Sequence, residues 1–224
     1  LAARWPPPAP TGLKCAAEMA QLNTPPQLEL WLLRHGMTSW ARDGRHTGLT
    51  DLPLLPEGEA QALALAPGLA SQRFAAVLVS PLQRARRTAE LAGLGEGAQI
   101  CPDLQEWDYG RYEGISTAEI RAQVPDWTVW SHGCPDGESC LEVEQRCQRV
   151  IAFAQSLVAS QSELGAVALV AHGHILRSLA GTWLGLGAAG GALFNLNTAT
   201  LSVLGHERER RTVVRWNAQV TTPP

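Results

Sequence analysis

Three short runs in the chain are apolar at nearly every position: "LELWLL" at 28–33, "FAAVLVS" at 74–80 and "AVALVAH" at 166–172. A strand with one face in water alternates polar and apolar residues; a run without that alternation belongs to a strand buried on both faces. Burial on both faces requires helices above and below the sheet, and the intervening segments supply them. Residues 57–72 carry Ala and Leu at helical spacing, with Pro67 expected to end or kink the helix. "LQRARRTAELAG" (82–93) reads as a helix closed by Gly93. Residues 139–160 read as a long amphipathic helix. Ser139 and Glu142 form its capping box, and Val143, Cys147, Val150, Ile151, Ala154 and Val158 its apolar stripe. A further helix is expected at 174–184, a short strand near 99–101, and strands at 199–206 and 211–217. Buried strands alternating with helices predict an α/β fold: a three-layer α/β/α sandwich around a mostly parallel sheet.

Composition narrows the function. The 224 residues suffice for one domain with a large core, expected over 28–218. The lead at 1–27 contains Pro6, Pro7 and Pro8 and no continuous apolar core, so it reads as a disordered extension and a poor secretory signal. Met19 is the expected native start, with 1–18 an extension of the gene reading; 219–224 read as a flexible tail. A net charge of −3 without a basic run argues against a nucleic-acid partner. No apolar stretch approaches the roughly 20 residues of a membrane helix. The five cysteines are odd in number and form no C-x-x-C pair, which points to free thiols in the cytoplasm, with neither a disulfide framework nor a metal site. Gly185–Gly190 matches G-x-G-x-x-G, but it follows a helix rather than a strand. It reads as a loop and not as a dinucleotide site.

In open α/β sheets, ligand groups gather beyond the carboxyl ends of the strands. Three such ends are polar here: Arg34-His35-Gly36, Ser80-Pro81 with Arg84 one turn into the next helix, and His172-Gly173-His174. The loop at 101–114 adds Glu106, with Asp108 and Glu113 as competing carboxylates. Two guanidiniums, two imidazoles and a carboxyl at one sheet edge suit a phosphate group. Guanidiniums hold the dianion, a neutral imidazole attacks phosphorus, and a carboxylic acid protonates the leaving oxygen. Gly36 and Gly173 would let phosphate oxygens approach the backbone.

The chain resembles the histidine phosphatase, or phosphoglycerate mutase-like, family. The likeness rests on "LLRHGMTSW", "GRHTGLTDLPLLPEG", "SPLQRARRTAEL", "LQEWDYGRYEG", "PDGES" and "LVAHGH", which occur in the family's order over roughly 28–205. The resemblance implies that His35 is the nucleophile, that Arg34, Arg84 and His172 bind the phosphoryl group, and that Glu106 is the proton donor. It also implies a small phosphorylated substrate and no cofactor. Thr47, Gly48, Tyr109 and Arg177 are implied to line the substrate pocket, and Ser39 and Gly173 are counted with them. Arg45 and Arg111 are candidates for a second phosphate; Trp127 and Trp130 either cap the pocket or pack beneath it. His46, His132 and His174 read as supporting or surface groups. In motif detail the chain looks most similar to a subgroup of sedoheptulose 1,7-bisphosphatases and actinobacterial acid phosphatases. Glu106 and Glu138 lie too close in the chain for the long insertion of the cofactor-dependent mutases, so hydrolysis is favoured over phosphate transfer; a catalytically dead binding domain is disfavoured because His35, Glu106, both arginines and His172 are all present.

Overall fold

The computed structural model describes residues 27–160 and 164–220. The expected disordered lead, except Gln27, the start at Met19 and the last four residues of the tail lie outside the described residues, as does Cys15. The strands are β1 (Glu29–Arg34), β2 (Ala76–Val79), β3 (Gln99–Ile100), β4 (Ala166–Ala171), β5 (Leu201–Glu207) and β6 (Arg210–Ala218). The helices are α1 (Ser39–Arg42), α2 (Pro56–Leu63), α3 (Ala66–Leu69), α4 (Gln83–Leu91), α5 (Thr117–Arg121), α6 (Val129–His132), α7 (Cys140–Ala159) and α8 (Gly173–Trp183). One six-stranded sheet runs β3-β2-β4-β1-β5-β6. The pairs β3–β2, β2–β4 and β4–β1 are parallel, while β5 and β6 return antiparallel along one side.

The missing alternation in the strands has the expected cause. All six residues of β4 are buried. In β1, Leu30 and Leu32 join the core formed with α7 and α8, whereas Leu33 joins the core on the opposite face with Ala85 and Ala89 of α4. Helices cover both faces, which makes the three layers. The Ser139–Glu142 capping box is present at the start of α7, and the stripe from Val143 to Val158 is buried. The expected helix at 57–72 is instead two helices. α2 stops at Leu63, and Pro67 lies in the first turn of α3, where its missing N–H costs nothing. After α8 the glycine-rich stretch leads into a 3₁₀ turn at Ala188–Leu193, with no strand before it. Among the described residues, no helix is long and apolar enough to cross a membrane.

Candidate active site

Strand register assembles the site. Arg34 lies level with Ala171, and Val79 with Val170. The residues that leave the three parallel strands, His35, Ser80 and His172, therefore arrive at one sheet edge. The backbone N–H of His35 donates to the Ala171 carbonyl at 3.0 Å, and that of Ser80 to Val170 at 3.0 Å. The rings of His35 and His172 meet edge-on with centroids 5.1 Å apart. Above them opens a cavity of about 100 Å³, whose lining includes Arg34, His35, Glu106, Tyr109, His174 and Arg177.

Hydrogen bonds fix the tautomers. His35 Nδ1 is 2.7 Å from the Gly36 carbonyl, which can only accept, so Nδ1 carries the hydrogen and Nε2 keeps its lone pair. Arg84 Nε donates to His172 Nδ1 at 3.0 Å, so the His172 hydrogen is on Nε2, 2.7 Å from Ser80 Oγ. Burial, reinforced by Arg84 and Arg34, holds the His35 pKa well below the ordinary imidazole value. Burial, then Arg84 and His35, does the same for His172. The floor thus combines neutral imidazoles with guanidiniums, one a ring nitrogen with a free lone pair.

The two arginines do different things. Arg84 is fully buried and donates also to the carbonyls of Thr47, Gly48 and Thr50, at 2.8–3.1 Å, tying the loop after α1 to the floor. Arg34 lines the cavity and donates through one terminal nitrogen to the Leu196 carbonyl, but its Nε is buried with no hydrogen-bond partner. Unmet buried donors are rare and costly, and an anionic oxygen would satisfy this one. Glu106 accepts three backbone N–H groups, from Trp107, His174 and Ile175, at 2.8–2.9 Å. Two of these belong to the first turn of α8, so the helix start fixes where the Glu106 side chain lies.

The expected residues divide. Arg34, His35, Glu106, Tyr109, Arg177, Thr47 and Gly173 line the cavity, while Arg84 and His172 are bonded to each other at its base. Ser39 does not line it: Thr38 caps α1, and the turn of that helix puts Ala41 on the wall instead. Gly48 is buried beneath the wall, its N–H held by the Glu113 carboxylate and its carbonyl by Arg84. Gly36 does not leave room for phosphate. A side chain there would meet the Gly58 carbonyl at 2.2 Å, so its bareness serves the packing of α2. A side chain at Gly173 would lie in ordinary contact with the Arg34 guanidinium, at 3.4 Å.

Of the competing carboxylates, Glu113 holds the N–H groups of Gly48 and Thr50, and Asp108 that of Gly110; neither lines the cavity. Arg45 lines it, whereas Arg111 is exposed and paired with Asp136. Trp127 is buried under the His46 ring. Trp130 packs against His174 and carries the Arg177 guanidinium 4.8 Å from its ring centre.

His46 and His174, expected as supporting or surface groups, are both on the wall; His132 is exposed elsewhere. Burial keeps the Tyr109 hydroxyl protonated, with its pKa well above 10.0, and it lies 2.5 Å from His174 Nδ1. The hydroxyl donates to that nitrogen, which leaves the Nε2 hydrogen of His174 for other partners. The signal for His174 was its place two residues after His172 at a helix start. Leu196, also on the wall, comes from a long connection with no motif at all.

A family model described as Histidine phosphatase superfamily (branch 1) matches residues 30–219. The chain belongs to this superfamily. It is 41% identical over 180 residues to an acid phosphatase of Mycobacterium tuberculosis, covering 80% of this chain and 86% of the relative. It is 36% identical over 182 residues to a sedoheptulose 1,7-bisphosphatase of Saccharomyces cerevisiae, covering 70% and 67%. A probable phosphoglycerate mutase of Escherichia fergusonii is 29% identical over 197 residues, covering 84% and 90%. The fold is similar to the solved structure of a Mycobacterium tuberculosis open reading frame product, with a TM-score of 0.80 and 37% identity over 87% of this chain and 99% of that one. The match runs from β1 to the end of β6 and takes in every element that lines the cavity.

Proposed function

We propose that the protein hydrolyses small phosphomonoesters through a phosphohistidine at His35. The observation that carries this reading is the hydrogen bond from His35 Nδ1 to Gly36, which leaves a neutral Nε2 lone pair on a residue that lines the same cavity as Arg34, whose Nε–H is unmet. The Nε2 lone pair attacks phosphorus and the bond to the leaving oxygen breaks. Arg34 stabilises the charge on the in-flight phosphoryl oxygens, and Arg84, whose nitrogens are bonded to His172 and the 47–50 carbonyls, adds the field of its buried positive charge. Glu106, protonated for this step, gives its proton to the leaving alkoxide. As a carboxylate it then takes a proton from water, whose oxygen attacks phosphorus; the P–N bond breaks, and inorganic phosphate departs with His35 restored. Neutral His35 is available for attack without first losing a proton, because burial and two guanidiniums disfavour its imidazolium.

The polar wall favours a phosphorylated polyol over a plain aryl ester. Thr47, Tyr109, His174, Arg45 and Arg177 offer hydroxyl, imidazole and guanidinium groups around the leaving-group side. Arg45 and Arg177 would also accept a second phosphate. The yeast and mycobacterial relatives support a sugar bisphosphate such as sedoheptulose 1,7-bisphosphate and a broader acid phosphatase, respectively. The mutase relatives carry the alternative of phosphate transfer.

One assay separates these readings: phosphate release from sedoheptulose 1,7-bisphosphate and from p-nitrophenyl phosphate, with EDTA present. A sugar kcat/KM above about 10⁴ M⁻¹s⁻¹ and well above that for the aryl ester is the expected result. Activity on the aryl ester alone would discard the sugar assignment. Interconversion of phosphoglycerates without phosphate release would make the protein a mutase.

A further inference from the structure

The reading of Glu106 as proton donor leaves open what holds its loop, since Glu106 follows a short 3₁₀ turn (Pro102–Leu104) and sits on no strand or helix of its own. The answer lies on α7, on the side of the loop away from the cavity. Arg146 donates to Glu138 through both Nε and Nη2, at 2.7 Å each, in a forked pair. Its Nη1 donates to the carbonyls of Asp103 and Gln105 at 2.8 Å, and Nη2 reaches the Glu106 carbonyl at 3.5 Å. Glu138 closes the other end of the loop. Its carboxylate accepts the Asp108 N–H at 3.0 Å, its backbone N–H donates to the Asp108 carbonyl at 3.0 Å, and its carbonyl accepts the Trp107 indole N–H at 2.9 Å. The two residues thus grip 103, 105, 106, 107 and 108, every side of Glu106 in the chain. The side chains are only 11% and 21% exposed, so solvent does little to loosen the fork.

We infer that Arg146 is a positioning residue for the proton-transfer step: with Glu138 it fixes the backbone from which Glu106 reaches the leaving oxygen. It makes no hydrogen bond to the phosphate floor; its charge reaches His172 only as the weakest of the influences that hold that ring neutral, and Arg146→Lys leaves that charge in place. The inference rests on the assignment of Glu106 as the acid, and it predicts a signature that a merely structural residue would not give. A good leaving group departs as an anion and needs no acid; a poor one does.

The test compares 2,4-dinitrophenyl phosphate with phenyl phosphate for the wild type, Glu106→Gln, Arg146→Lys and Glu138→Gln. Arg146→Lys keeps the charge facing Glu138 but loses the fork and cannot hold three carbonyls, so it limits the burden on folding. The expected result is read in kcat/KM, which reports phosphorylation and not the later attack by water: a loss of about a hundredfold on phenyl phosphate, the scale of a 1 Å misplacement, with the dinitrophenyl ester nearly unaffected. Glu106→Gln gives the same pattern, more strongly. A leaving-group effect in Glu106→Gln with equal losses on both esters in Arg146→Lys and Glu138→Gln overturns the positioning role alone. Equal losses on both esters in Glu106→Gln overturn the acid assignment and the inference with it. If Arg146→Lys melts below the assay temperature, Glu138→Gln, which removes one arm of the same fork, decides by the same comparison.

Discussion

The floor and the wall of the cavity are held by different means. The floor, Arg34, His35, Ser80 and His172, hangs from the ends of three parallel strands, and its placement follows from backbone register. The wall, from His46 and Thr47 through Tyr109 to His174 and Arg177, is tied together by side chains. Arg84 holds three carbonyls of the 47–50 loop, Glu113 two of its N–H groups, and Tyr109 the His174 ring. A geometry set by register resists substitution of any one side chain. A geometry set by tethers changes with each, which suits chemistry on the floor and selectivity on the wall.

The largest break in this comparison is His35→Ala. It removes the attacking nitrogen while the strands stay in register, so kcat should fall by at least about a thousandfold. A variant retaining a tenth of the activity in a phosphate-release assay would remove His35 from the centre of the floor. Next is Arg84→Met, which cuts a side chain that joins floor to wall. It frees the 47–50 carbonyls and the His172 nitrogen together, so kcat should fall and KM rise, with kcat/KM down by about a hundredfold or more. A change in KM alone would assign Arg84 to the wall.

Arg177→Met tests the wall by itself. Its guanidinium lines the cavity over Trp130 and touches nothing on the floor. KM for a phosphorylated sugar should rise about tenfold, the worth of one charge-assisted hydrogen bond, while kcat on p-nitrophenyl phosphate holds. Equal losses on both substrates would mean that floor and wall are not separable.

The smallest effect is on stability. Burial lowers the His46 pKa from 6.5 to about 4. Between those values the unfolded chain binds a proton that the folded wall refuses, so stability is lost as pH falls from 6.5 towards about 4. His46→Gln should flatten that part of the Tm-against-pH curve. An unchanged slope would place the acid sensitivity in His35, His172 and His174, whose pKa values are depressed in the same direction.

The floor was legible in the sequence because its determinants are local. Apolar runs marked the buried strands, and the residues after each run could only emerge at the sheet edge. The capping box of α7 was legible for the same reason. The wall was read less well. Ser39 was expected on it, but the short helix capped by Thr38 turns Ala41 inward, and one residue of helix rotation decides the matter. Gly48 was expected to face substrate; its backbone is consumed by Arg84 and Glu113, partners distant in sequence. His174 was underrated because its orientation depends on Tyr109, 65 positions earlier. Pro67, expected to end or kink one helix, lies in the first turn of a second, after the first has stopped at Leu63. Tethers across long sequence separations leave no periodic trace.

The central claim is that His35 Nε2 becomes phosphorylated. Rapid quenching of the enzyme with 2,4-dinitrophenyl phosphate under alkaline conditions, which preserve a phosphohistidine, followed by peptide mass spectrometry, reads this directly. The account predicts a phosphoryl group on the peptide carrying His35, formed within the first turnover and lost as inorganic phosphate appears. Turnover with His35 unmodified at every time point, or a phosphoryl group on His172 instead, would contradict it.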